Sequence, residues 1–302
     1  MTSPARRRRP LAPSPAALAA LVAGGGLFST LAACGAASDD DAAFADRADT
    51  GGSAEIDATA GGGPTPDAPD AAAEPTDLTG TWAQRQVTVS NVDVPVVGTT
   101  RTPTVSLLLV EATPAEAPGA FDLHLTTCGI TMGSDADPAR TVVPDAFVSA
   151  LPEVDRRAVI GDDGTYTVDW LTQVHGARLT DPENDALPTS ADDPRVIDQD
   201  EDGRPGLTVR VTGLVDGEVY VAQRGRDRMV GRLADGRVDG LVEWTSEQAV
   251  LDAEVELLRT PVPSRPEPDP AAHVFGLRRL PAGATCADVV VSAPALFGPD
   301  AP

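Results

Sequence analysis

The densest ligand chemistry in this 302-residue chain is Asp198-Gln199-Asp200-Glu201-Asp202-Gly203. Three aspartates alternate and a glycine follows. Calcium takes six to eight hard oxygen ligands, and alternate carboxylates on a tight loop converge on one point while the glycine permits the turn. The spacing predicts that Asp198, Asp200 and Asp202 ligate a structural calcium ion. The same residues also suit a solvated acidic turn closing a hairpin between Arg195-Val196-Ile197 and Leu207-Thr208-Val209. Enzymatic motifs are missing: no Gly-x-Ser-x-Gly, His-Glu-x-x-His, glycine-rich phosphate loop or Cys-x-x-Cys occurs, and His124, His175 and His273 are dispersed. The chain reads as non-enzymatic. A hydrolase using two carboxylates is the weaker alternative, because 46 acidic residues offer many pairs.

The loop resembles the D-x-D-x-D-G segment shared by EF-hands and several unrelated calcium folds. Carried over, that pattern implies that Arg204 adds its backbone carbonyl to the three aspartate side chains. It departs from the EF-hand where Val209 replaces the closing bidentate glutamate, and strands rather than helices flank it. The missing ligand is then expected from Asp192, Asp193 or Glu201.

The N-terminus carries a second signal. Arg6 to Arg9 precede an uncharged run from Pro10 to Ser38, the layout of a secretory signal peptide. Pro13, Pro15 and Gly24-Gly25-Gly26 interrupt the run and alanine dominates it, which argues against an uncleaved anchor. Leu31-Ala32-Ala33-Cys34 resembles the lipobox of bacterial lipoproteins. That resemblance implies cleavage before Cys34, acylation of Cys34 by chains such as palmitate, and a membrane partner reached through this anchor. Gly35, in place of a retention aspartate, implies the outer membrane of the cell envelope. With Cys34 lipidated, Cys128 and Cys286 remain as an even pair in an oxidising compartment, and a disulfide between them is expected.

Three regions must position these groups: a signal peptide over 1–33, a lipidated and disordered linker over 34–76, and a single β domain over 77–302. Residues 1–33 hold four arginines and no acid, so their removal takes the net charge from −23 to −27. Such acidity excludes nucleic acid as a partner, since phosphate contacts need a basic face. The linker is rich in Gly, Pro and Asp and has only Phe44 and Ile56 as bulky apolar residues, too few to order it.

From Asp77 onward the dominant pattern is alternation with period two: Val105, Leu107, Leu109; Phe121, Leu123, Leu125; Tyr166, Val168, Trp170; Leu207, Val209, Val211; Val238, Val242, Trp244; and Leu251 through Leu257. Turn residues recur between them, as at Pro118-Gly119, Asp163-Gly164 and Asp235-Gly236. The fold class is all-β, an antiparallel barrel or a β-sandwich. A short helix is expected over 145–150, and 180–206 reads as a long insertion. Gly80-Thr81-Trp82 resembles the Gly-x-Trp of lipocalins, in which the tryptophan plugs the barrel beneath a late arginine; here that implies Arg278 or Arg279, and a small or lipidic ligand. A surface adhesion or assembly module is the alternative.

Overall fold

The computed structural model describes residues 76–94, 98–133, 139–213 and 215–298. The expected signal peptide, the expected lipidation site Cys34 and the expected linker up to residue 75 lie outside them. The strands are β1 (Gly80–Val94), β2 (Gly98–Pro114), β3 (Ala120–Met132), β4 (Ala139–Val142), β5 (Val154–Ile160), β6 (Thr165–His175), β7 (Leu207–Gly213), β8 (Gly217–Ala234), β9 (Arg237–Ala253), β10 (Ser264–Pro266) and β11 (Val274–Arg279). Helix α1 (Asp145–Ser149) forms where expected, one residue shorter. Helix α2 (Cys286–Phe297) was not expected. A capping box starts it, in which Thr285 and Asp288 satisfy each other's backbone N–H groups.

The fold is all-β, and every strand-to-strand pairing is antiparallel. Eight strands close into a ring in the order β8-β6-β5-β3-β2-β1-β11-β9, with β9 returning to β8. The ring is not a regular barrel. Long strands carry two neighbours on one edge: β8 pairs β7 over Gly217–Val221 and β6 over Gln223–Arg232. Likewise β1 pairs β11 over Trp82–Val87 and β10 over Ser90–Val92. Strand β9 pairs β11 only from Arg237 to Leu241. Beyond that point its outer edge has no strand partner among the described residues, and a seam separates it from β10. The hairpin joining β8 to β9 turns at Asp235 and Gly236, both left-handed at φ 51° and 71°, as a two-residue turn between twisted strands requires.

The ring interior is packed and divides into two halves. At the end where the chain enters, Leu78, Trp82, Val110, Leu123, Tyr166, Leu233 and Leu277 form a continuous apolar core. Trp82 is fully buried and donates its indole N–H to Leu78 O at 2.7 Å. Of the two arginines expected over it, Arg279 lies there, 4.2 Å from the ring centroid, and donates to Thr79 O and Asp77 O. Arg278 turns instead to Asp239. The other half is polar: Gln84, Gln86, Thr88, Thr104, Ser106, Gln223 and Asp227 are all buried.

Two expectations about phase are corrected. On β2, Thr104 and Ser106 are buried with Leu108 and Val110, whereas Val105, Leu107 and Leu109 are only partly so. Helix α2 packs on β1, β2 and β3 and shields their outer face, so the apolar row need not point inward. On β6, a register shift between Val168 and Leu171 turns Trp170 outward, 38% exposed. The alternation expected through Leu257 ends at Ala253, where the chain enters a 3-10 turn that buries Leu258. A second apolar core, built from Phe147, Leu207, Val209, Val219 and Leu258, lies beneath β7 and α1.

Candidate functional site

The loop from Gly176 to Gly206 leaves β6 and feeds β7. Bridges between Ala177 and Val196 and between Asp198 and Gly206 hold it in place. Gly206 has φ +87°, and a Cβ there would sit 2.3 Å from Val221 O. Only glycine lets the loop press so closely on β8.

Within this loop the three aspartates fold over their own backbone. Asp198 accepts the N–H groups of Asp202 at 3.2 Å and Gly203 at 2.9 Å. Asp202 accepts from Arg204 N–H at 2.8 Å and from the Thr208 hydroxyl at 2.6 Å. Asp200 Oδ2 accepts from Thr208 N–H at 2.9 Å, while Asp200 Oδ1 is shielded from solvent and has no protein partner. One oxygen from each carboxylate lies within 4.8 Å of the others. Calcium–oxygen bonds of about 2.3–2.6 Å allow two ligands of one ion to stand at most about 5 Å apart, so the three fit a shared cation. Burial, and then the charges of Asp202 and Asp198, push the Asp200 carboxyl above its usual range against the Thr208 N–H bond. Concentrated negative charge of this kind favours a cation.

Arg204 follows in the same loop, with its guanidinium 5.3 Å from the Tyr220 ring centroid. Of the candidates for a further ligand, Asp193 is held by Arg195 at 2.7 Å. Asp192 and Glu201 stand outside the convergent group.

No protein-family model, curated protein or solved structure matches this chain.

The remaining sequence candidates have structural roles. Cys128 on β3 and Cys286 at the start of α2 form a disulfide, with Cα atoms 4.9 Å apart, and so pin the helix to the ring. The histidines stay apart. His124 is exposed between Asp155 and Glu153, and the Asp155 hydrogen bond raises its pKa. His175 is buried, which pushes its pKa down to about 4. His273 accepts from Val89 N–H and faces Glu267 O. Arg224 and Arg228 pair across strands with Glu247 and Glu243, and Arg226 and Arg228 flank Trp170 at 4.8 and 5.1 Å.

One buried group escaped sequence reasoning. Arg156 donates to Asp227 Oδ2 at 2.7 Å inside the ring, with side chains 3% and 0% exposed. The available signal was an arginine at an inward position of β5, between Val154 and Ala158.

Proposed function

We propose that this protein is a non-enzymatic cell-envelope lipoprotein, held to the outer membrane through Cys34, whose β domain is stabilised by calcium and binds a small or lipidic ligand. The observation that carries the calcium reading is the convergence of one oxygen each from Asp198, Asp200 and Asp202 within 4.8 Å, with Asp200 Oδ1 shielded from solvent and satisfied by no protein group. Arg204 supplies its carbonyl as the fourth oxygen. Calcium added to the purified protein releases heat and raises the melting temperature, by about 2.7 kcal/mol of added stability at a hundredfold excess over Kd. Asp200→Asn loses both effects. An unchanged melting curve in wild-type protein with calcium, together with a flat titration, removes the reading. Incorporation of labelled palmitate, lost in Cys34→Ala, tests the anchor.

One observation favours the assembly reading as second. Val230, Leu241 and Val274 are neighbours across β8, β9 and β11 and are 43%, 37% and 39% exposed. Self-association in sedimentation that Leu241→Glu abolishes supports that role, and a monomer at high concentration removes self-assembly.

A further inference from the structure

The seam between β9 and β10 holds a cavity of about 310 Å³. One wall is polar: Ser90 from β1 and Trp244, Ser246 and Gln248 from the stretch of β9 that pairs β8 on one edge and, among the described residues, no strand on the other. The opposite wall is apolar, from Pro261, Val262, Pro263 and Pro266. Cα atoms of β9 and β10 approach within 8 Å. Inserting a strand takes two spacings of about 4.8 Å, so the slot is too narrow there for a peptide strand, and β9 and β10 do not pair directly.

The polar wall carries unspent hydrogen-bonding capacity. Trp244 is 5% exposed and lines the slot, and its indole N–H has no protein partner; the Gln248 side-chain NH₂ is shielded and also has none. Behind them Gln223, opposite Gln248 on the same sheet face, is fully buried with neither amide atom paired. Buried donors without acceptors each cost about 1–3 kcal/mol. The two that line the slot, Trp244 and Gln248, indicate a ligand that brings oxygen atoms.

The charges at the slot are already neutralised. Arg265 pairs with Asp93, and Glu247 with Arg224. A charged ligand would find no free counter-ion there. An uncharged one with hydroxyl oxygens on its rim and C–H groups on its face matches both walls, and the volume sits at the small end of ligand pockets.

We infer that the β9–β10 seam binds a small neutral polyhydroxylated molecule of sugar size, with Trp244 and Gln248 donating to its oxygens. This rests on the ligand-binding part of the proposed function and not on calcium. The test is ¹⁵N NMR of the purified full chain, titrated separately with D-glucose, N-acetyl-D-glucosamine, trehalose and, as lipidic comparator, octanoate. The chain has three tryptophans, and Trp244→Phe identifies the Trp244 indole signal. If that variant does not fold, the Gln248 side-chain amide, assigned through Gln248→Leu, gives the same readout.

The expected result is a saturable shift of the Trp244 signal with at least one sugar, with Trp82 and Trp170 unmoved. Gln248→Leu keeps the folded spectrum and weakens binding about tenfold, the loss of one or two hydrogen bonds. A shift that Gln248→Leu leaves intact overturns the site. A response to octanoate alone overturns the ligand class while the ligand-binding reading stands. Silence with every probe overturns both, and leaves calcium to its own melting experiment.

Discussion

Replacing Arg156 by methionine tests what the buried ion pair contributes to the ring. Arg156 makes three bonds there: to Asp227 Oδ2 at 2.7 Å, to Asp169 O at 2.7 Å and to Asp227 O at 3.1 Å. Methionine fills similar volume but strands the carboxylate of Asp227, which is fully buried and has Oδ1 unpaired even in the native protein. Breaking such a pair costs about 3–5 kcal/mol. At about 2–4 °C per kcal/mol for a domain of this size, the melting temperature falls by about 10 °C. Burial already pushes the Asp227 carboxyl upward, and the charge and hydrogen bond of Arg156 oppose that push. Without Arg156 the folded state holds its proton more tightly than the unfolded state does. Stability of the variant is therefore greatest at acid pH and falls as pH rises from the unfolded carboxylate value of about 3.9 toward the raised folded value. In the double variant Arg156→Met/Asp227→Leu no buried charge is left, and it is more stable than either single variant. Thermal denaturation followed by circular dichroism, at acid and neutral pH, reads all three. Single-variant losses that add to the double-variant loss within about 0.5 kcal/mol refute the reasoning, because coupling is its content.

Three further outcomes follow from the packing. Reducing the Cys128–Cys286 bridge, or replacing both cysteines by serine, costs up to about 5 kcal/mol, since it reopens a loop of sequence separation 158; a chevron or urea midpoint unchanged by reductant contradicts this. His124, whose folded pKa lies above its ordinary value, contributes stability that is complete below about pH 6.5 and is lost as pH rises through the folded value; His124→Gln flattens that slope in melting temperature against pH. Gly240→Ala places a Cβ 2.3 Å from Val230 O and 2.6 Å from the Phe275 ring, neither of which can retreat, and destabilises by about 1–3 kcal/mol. Gly129→Ala, whose nearest neighbour is Val290 Cγ2 at 3.9 Å, serves as its near-neutral control in urea denaturation.

What could be read in advance was what is local. Phe121, Leu123 and Leu125 alternate and face the core, and the aspartates at 198, 200 and 202 converge because one tight loop carries all of them. The alternation rule assumes that polar side chains seek water. On β1 it fails, because Gln84 and Gln86 face a polar ring interior and Val87 and Val89 on the other face are also buried. Helix α2 was hidden because its Val289-Val290-Val291 run has no amphipathic period, and only Val289 is buried. Its Thr285 and Asp288 were the readable sign. The seam is assembled from β1, β9 and residues 261–266, and only the closed topology brings Ser90 beside Trp244 and Pro263.

The arginine over Trp82 has a mechanical consequence. A pull transmitted along the preceding chain meets two guanidinium–carbonyl bonds, at Asp77 and Thr79, and the indole bond to Leu78 before it reaches the sheet. Strand β1 is then bonded on both edges, to β2 along its whole length and to β11 from Trp82 to Val87. Force along its axis loads those bonds together in shear instead of peeling them one at a time. Arg279 acts as a strain relief, and a domain tethered from this end can be dragged without being unzipped.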